Sequence, residues 1–413
     1  MHRADQRAGA RIGALQARLD AAVADAPGTR TVVALARNGE RRIAANGGRA
    51  DRPEDESFRT GCVTKLLVAA LIGRKLAGHR LDLRAEIGPL LRVPGTDGLA
   101  GITLRQLLEH THGLDDGLVG AVPRDARGRI DVERLLVLVG EGRLAAPGAL
   151  YSYSNAGAWL LAAMLEALEG QSFAVQLADD LFAPLGIGMR GATRKLPHCP
   201  PGAVCPAMGG GLALTVGDLL AFLEASAAQP AIAPIGADRD GERITPLPGW
   251  HPLERGVRLG WKCYDDGWLG HQSVLPCASL LVRVRPQDRS AVVVASSGYH
   301  AAVVAAKVLG PEIPSLVTVA LPRARAGPAP LDTSAYCGRY ASAAESLEVE
   351  TLGGGLMLGS ANGRTRLVGR GNHLFLLERP EPGRAFVEFI DSDGGRFRRL
   401  WDGRRVYPLE RCS

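Results

Sequence analysis

Cys62 stands three residues before Lys65 in the segment Gly61-Cys62-Val63-Thr64-Lys65. The apolar run Leu66 to Ile72 that follows predicts a helix buried all round, with Cys62 at or just before its N-terminus. The spacing puts both side chains on one helical face. There the lysine can accept a nucleophile's proton or stabilise its anion, while the helix N-terminus adds positive partial charge and backbone N–H groups. Taken alone, a Cys-x-x-Lys spacing is most often structural.

Two later segments carry matching chemistry. Tyr153-Ser154-Asn155 precedes an apolar helix, Trp159 to Leu168. A tyrosine that loses its proton beside a lysine can act as a general base. The asparagine two residues on, read here as part of an extended loop, can donate to a substrate carbonyl and hold the lysine. Gly270-His271-Gln272-Ser273-Val274 precedes two β-prone stretches near position 280. Read as an edge strand, it pairs with substrate backbone through Gln272 and Ser273. It also offers the Val274 N–H, which with the Cys62 N–H forms an oxyanion hole.

In this order, the three segments resemble the motifs of the serine β-lactamase/penicillin-binding-protein superfamily, on the branch of class C β-lactamases, D-aminopeptidases and esterases. Phe58-Arg59-Thr60-Gly61-Cys62-Val63-Thr64-Lys65 is similar to that branch's Phe-x-x-x-Ser-x-x-Lys segment. The run from Ile102 through His110-Thr111-His112-Gly113-Leu114 is similar to its Ile-Thr…Leu-Leu-x-His-Thr-Ser-Gly-Leu. Pro147-Gly148 ahead of Tyr151-Ser152-Tyr153-Ser154-Asn155, Gly209-Gly210-Gly211-Leu212 up to Asp218-Leu219, and Leu259-Gly260-Trp261 extend the likeness over about residues 10–310. The resemblance implies catalytic roles. Cys62 aligns with the nucleophile, Lys65 with its basic partner, Tyr153 with the general base, Asn155 with the contact to substrate and lysine, and His271 with the third-motif cation or hydrogen-bonding group.

Two positions depart from that pattern. Cysteine stands at 62 where the family has serine, and Ser273 stands where it usually has glycine. The first is read as a native nucleophile, with an engineered replacement or a dead site as the other readings. The second narrows the cleft or adds a hydroxyl contact, and so argues against ordinary β-lactam or D-Ala-D-Ala recognition. A thiol ionises more readily than a hydroxyl, and its acyl-enzyme is a thioester, which amines and thiols attack more readily, relative to water, than they attack an ester. Acyl transfer from a small-molecule or peptide-like donor, free or carrier-bound, to an amine or thiol is therefore the leading expectation, in natural-product assembly. Hydrolysis of an amide, ester or thioester is the second. A non-catalytic binding protein using the same cleft is the third.

Those residues need a scaffold. Residues 8–25 show helical periodicity through Ile12, Leu15, Leu19 and Val23. Thr31 to Ala36 and Arg41 to Ala45 read as a hairpin about Asn38-Gly39. Strand signal returns at Ser279–Val284 and Ala291–Ala295, followed by a helix at Ala301–Leu309. The predicted fold is α/β: a β-lactamase-like sandwich, an antiparallel sheet flanked by helices, with an inserted helical subdomain over roughly 80–250. The expected catalytic domain spans 1–320. A Pro-rich linker follows at 321–330, then a small antiparallel β domain over 331–413 with strands at 347–349, 356–358, 374–376, 386–390 and 397–400.

The net charge of +6 is spread over isolated arginines, so no nucleic-acid partner is expected. No stretch approaches the roughly 18 apolar residues of a membrane span, and no leader-like apolar segment follows Met1. Both point to a cytoplasmic protein. The seven cysteines lie at 62, 199, 205, 263, 277, 337 and 412 without disulfide-framework spacing. A Cys199–Cys205 bridge or a zinc site with His198 is a weaker reading, so neither metal nor cofactor is expected.

Overall fold

A computed structural model describes residues 2–25, 28–47, 52–78, 81–115, 125, 129–139, 143–187, 212–229, 245–246, 254–275, 278–298, 301–316, 332–342, 345–381, 384–393, 395–402 and 404–410. The expected linker, the Gly209-Gly210-Gly211 triplet, and Cys199, Cys205, Cys277, Cys412 and His198 lie outside them.

The chain opens with α1 (His2–Val23) and the hairpin β1 (Thr31–Arg37) and β2 (Glu40–Asn46). Asn38 and Gly39 both adopt positive φ, 51° and 81°, as a tight two-residue turn requires. The short β3 (Ser57–Arg59) leads to α2 (Thr64–Ala77). Helices α3 (Ile87–Leu91), α4 (Leu104–Leu108), α5 (Val132–Val139), α6 (Asn155–Glu169) and α7 (Phe173–Gln176) then follow. A three-residue strand, β4 (Ala213–Thr215), interrupts the helical stretch by pairing with β3, and α8 (Val216–Ala228) starts from it.

The chain then returns to sheet in β5 (Thr245–Pro246), β6 (Glu254–Arg258), β7 (Trp261–Tyr264), β8 (Leu269–Leu275), β9 (Ala278–Arg285) and β10 (Ser290–Ser296), closing with α9 (Ala301–Leu309). Among the described residues the main sheet runs β2-β1-β10-β9-β8-β7-β6-β5. The first hairpin thus joins the last strands through Val33↔Val294 and its neighbours, as the motif order requires. Alternate residues of the central strands face opposite layers. Val32, Ala34, Leu280, Val282 and Val293 pack with α2, α6 and α8, whereas Val33, Leu35, Leu281, Val292 and Val294 pack with α1 and α9. Burial on both faces explains why these strands read as continuous apolar runs. Helix α2 is buried from Thr64 to Gly73, so it forms the pillar between sheet and helical layer.

The C-terminal β domain holds β11 (Gly338–Ala341), β12 (Ser346–Leu352), β13 (Gly355–Ser360), β14 (Gly363–Gly369), β15 (Leu374–Glu381), β16 (Arg384–Asp393), β17 (Arg396–Trp401) and β18 (Val406–Pro408), paired in sequence order. A bridge between Tyr340 and Leu409 brings the first and last strands together. Phe375, Leu377, Phe389 and Phe397 fill its interior around Tyr336. The outward-facing Leu374, Leu376, Phe386, Trp401 and Val406 pack instead against Leu144, with Leu150 alongside. The appended sheet is therefore seated on the segment that leads to Tyr153.

Candidate active site

Cys62 lies in a single 3-10 turn, Gly61–Val63, that runs directly into α2. Its backbone N–H donates to the Ser273 hydroxyl at 3.1 Å. Gly61 adopts a φ of +50°, and a Cβ there would sit 1.8 Å from Ser273 Oγ. Only glycine lets the two segments approach so closely.

Lys65, one helical turn on, is buried. Its Nζ donates to Asn155 Oδ1 at 2.8 Å and lies 4.6 Å from the centre of the Tyr153 ring. Asn155 is not on an extended loop, as its sequence context suggested. It opens α6, and Ser154 caps that helix by accepting the Gly157 N–H. Ser154 ahead of an apolar run is a readable N-cap signal. The cap fixes the direction in which Asn155 leaves the helix.

The Tyr153 hydroxyl is buried with no nitrogen or oxygen partner among the described residues. Burial pushes the phenol well above its ordinary range, and the adjoining Cys62 thiol pushes it the same way. Tyr153 therefore rests protonated beside the sulfur.

Two residues without an assigned role hold this segment. His110 Nδ1 accepts the Ser154 N–H at 3.2 Å, the His110 carbonyl accepts the Ser152 N–H at 2.9 Å, and the imidazole packs 4.6 Å from the Tyr153 ring. Burial, then Lys65, keeps that imidazole well below its usual pKa. His112 Nδ1 accepts the Leu114 N–H, closing the turn after α4. The His-x-His spacing was the signal available; the positive φ of His110, 56°, is set by the fold.

His271 lies on β8, which is not an edge strand. It pairs with β9 from Leu269 to Leu275. On its other side, however, β7 reaches only Leu269 and Gly270. From His271 to Leu275 that side has no strand partner among the described residues and faces the turn bearing Cys62. The His271 ring centre lies 6.2 Å from that of Tyr153. Burial, then the nearby Lys65, pulls its pKa down to about 3, so it is a neutral hydrogen-bonding group rather than a cation. Its Nδ1 lies 2.9 Å from both the N–H and the carbonyl oxygen of Gln272, accepting from the first in one tautomer and donating to the second in the other. Gln272 is half-buried, and Val274, opposite Ser279, exposes its side chain.

Cys62, Lys65, Tyr153, Asn155, His271 and Ser273 thus gather in one place from α2, the start of α6 and β8. A buried lysine thus stands between an asparagine and a tyrosine at the foot of the pillar helix. A family model described as Beta-lactamase matches residues 11–309. The chain belongs to the beta-lactamase family.

Relatives agree. A 138-residue stretch is 33% identical to Penicillin-binding protein 4 of Amycolatopsis lactamdurans, covering 32% of this chain and 35% of that protein. The chain thus spans about a third of the length of the curated relatives it matches. The solved structure of SurE with D-Leu is 25% identical, with a TM-score of 0.76, and covers 97% of this chain and 100% of that one. A D-stereospecific amidohydrolase from Streptomyces sp. shares the fold at 21% identity and a TM-score of 0.55, over 73% of this chain and 98% of its own. A 122-residue stretch is 27% identical to Esterase/beta-lactamase LipL of Mycobacterium tuberculosis, covering 30% of this chain and 28% of that protein. Among the described residues, no group of three or more His, Cys, Asp or Glu side chains is placed to hold a metal ion. No described helix is long and apolar enough to cross a membrane.

Proposed function

We propose that Cys62 is the nucleophile of an acyltransferase that carries its acyl group as a Cys62 thioester. The observation behind this reading is the buried Tyr153 hydroxyl beside the Cys62 sulfur, framed by Lys65 and Asn155. The Cys62 thiolate attacks the donor carbonyl and forms the C–S bond. The leaving group departs with the Tyr153 proton, giving a tyrosinate. An acceptor amine or thiol then attacks the thioester, Tyr153 takes its proton back, and the thiolate leaves. Lys65 stabilises the tyrosinate across the short cation–ring contact. His271, neutral, hydrogen-bonds the donor, and the half of β8 without a strand partner supplies backbone groups of Gln272 and Val274.

The D-leucine in the SurE structure supports a peptide-like donor whose reacting residue is D-configured. The greater susceptibility of thioesters to amines supports a role in natural-product assembly. Hydrolysis is the competing fate of the same acyl-enzyme.

Following product partition between water and an added amine tests the reading. With N-acetyl-D-leucine thioesters, amide product is expected to exceed acid at millimolar amine, and Cys62→Ser is expected to shift products to acid. Equal partition in both proteins would show that the thiol does not set the reaction type.

A further inference from the structure

The two departures from the family pattern, Cys62 and Ser273, touch each other. The Cys62 N–H is the donor that an oxyanion hole at this site needs, and it is already given to Ser273 Oγ at 3.1 Å. A backbone N–H has one proton, so a carbonyl oxygen cannot share it at full strength. Ser273 is buried at 2% exposure, pressed against Gly61. Among the described residues its own O–H proton has no acceptor. A hydroxyl that accepts from a helix-terminal N–H is polarised into a better donor. A C–S bond is also longer than a C–O bond, so the carbonyl of an acyl group on Cys62 stands further from that residue's own N–H than it would on a serine.

We propose that Ser273 donates its hydroxyl proton as a hydrogen bond to the oxyanion of the Cys62 adduct, relaying the Cys62 N–H, and that serine at 273 is matched to cysteine at 62. This rests on Cys62 being the nucleophile. As sulfur attacks, the carbonyl π electrons move to oxygen. The Ser273 proton strengthens its hydrogen bond to that oxygen without transferring. The pair returns as the leaving group departs with the Tyr153 proton.

The test is single-turnover acylation by N-acetyl-D-leucine p-nitrophenyl ester, read from p-nitrophenolate release. Ser273→Ala and Ser273→Gly are each made with Cys62 and with Cys62→Ser, and thermal melting confirms folding. With Cys62, both substitutions should slow acylation about 10²–10³-fold, the usual effect of losing one oxyanion donor. With Cys62→Ser they should cost less than about threefold or accelerate it, because the freed N–H reaches the closer carbonyl. Unchanged or faster acylation with Cys62 would make the hydroxyl an obstruction and overturn the proposal. So would equal losses in both backgrounds. Cys62→Ala separates the two readings: acylation persisting there removes the nucleophile assignment itself, whatever Ser273 does.

Discussion

The backbone N–H of Tyr153 donates to the carbonyl oxygen of Arg404, 2.7 Å away. A residue of the appended sheet thus fixes the proposed acid–base group of the catalytic layer. The Val406 N–H donates to Ser152 Oγ beside it. The turn that presents both groups is organised by Asp402, whose carboxylate accepts the Arg404 and Arg405 N–H groups and the Tyr407 hydroxyl and meets buried Arg384. Asp402→Ala should therefore lower kcat by tenfold or more with a smaller change in KM. It should also destabilise the protein by about 1–3 kcal/mol, as expected when buried donors lose their acceptor while Arg384 keeps Glu345 and Glu381. Steady-state kinetics and denaturant melts check both. An unchanged kcat would show that the appended sheet does not hold Tyr153.

His110 is a positioning residue. His110→Asn keeps an acceptor for the Ser154 N–H and tolerates the left-handed backbone; His110→Leu does neither. The asparagine variant should keep more than a tenth of parental kcat and the leucine variant less than a hundredth, with KM little changed. Equal activities would remove the role.

Lys65 and Asn155 should fail as a unit. Lys65→Met is expected to reduce kcat at least 10³-fold, and Asn155→Ala by about 10–100-fold, since it removes one of the bonds that hold Lys65 against the Tyr153 face. The double variant should be little worse than Lys65→Met alone, the non-additivity of residues sharing one role. Additive losses would separate them.

Acid should unfold the protein through its buried histidines. Burial lowers His271 to about 3 and His112 to about 4, and His110 in the same direction. Their unfolded values lie near 6.5. Between these limits the unfolded chain binds more protons, so stability rises with pH. It is fully present above about pH 6.5 and is lost as pH falls toward 3. Each histidine contributes at most about 1.4 kcal/mol per pH unit. Urea melts from pH 4 to 7 should show a shallower slope for His112→Asn; an unchanged slope would mean that His112 does not titrate on unfolding.

What the sequence disclosed follows the range of the forces involved. Cys62 and Lys65 were legible through the order of three segments, since their one-turn spacing alone is most often structural, and β1 and β10 because burial on both faces leaves unbroken apolar runs. Strand β14, Gly-Arg-Thr-Arg-Leu-Val-Gly, was not foreseen because exposed arginines and terminal glycines hide its alternation. Nor was β18, only three residues long. Ser273 stood out as a departure from the family, but its bond to the Cys62 N–H joins residues 211 apart. The bond from Tyr153 to Arg404 involves only backbone atoms, which leave no mark on residue type.

The central claim is that Cys62 carries the acyl group, and rapid-quench intact-protein mass spectrometry with an N-acetyl-D-leucine thioester tests it most directly. The account predicts one added acyl mass, mapped to the peptide containing Cys62, discharged by neutral hydroxylamine as a thioester is, and absent from Cys62→Ala. An adduct on another residue, or undiminished turnover by Cys62→Ala, would contradict it.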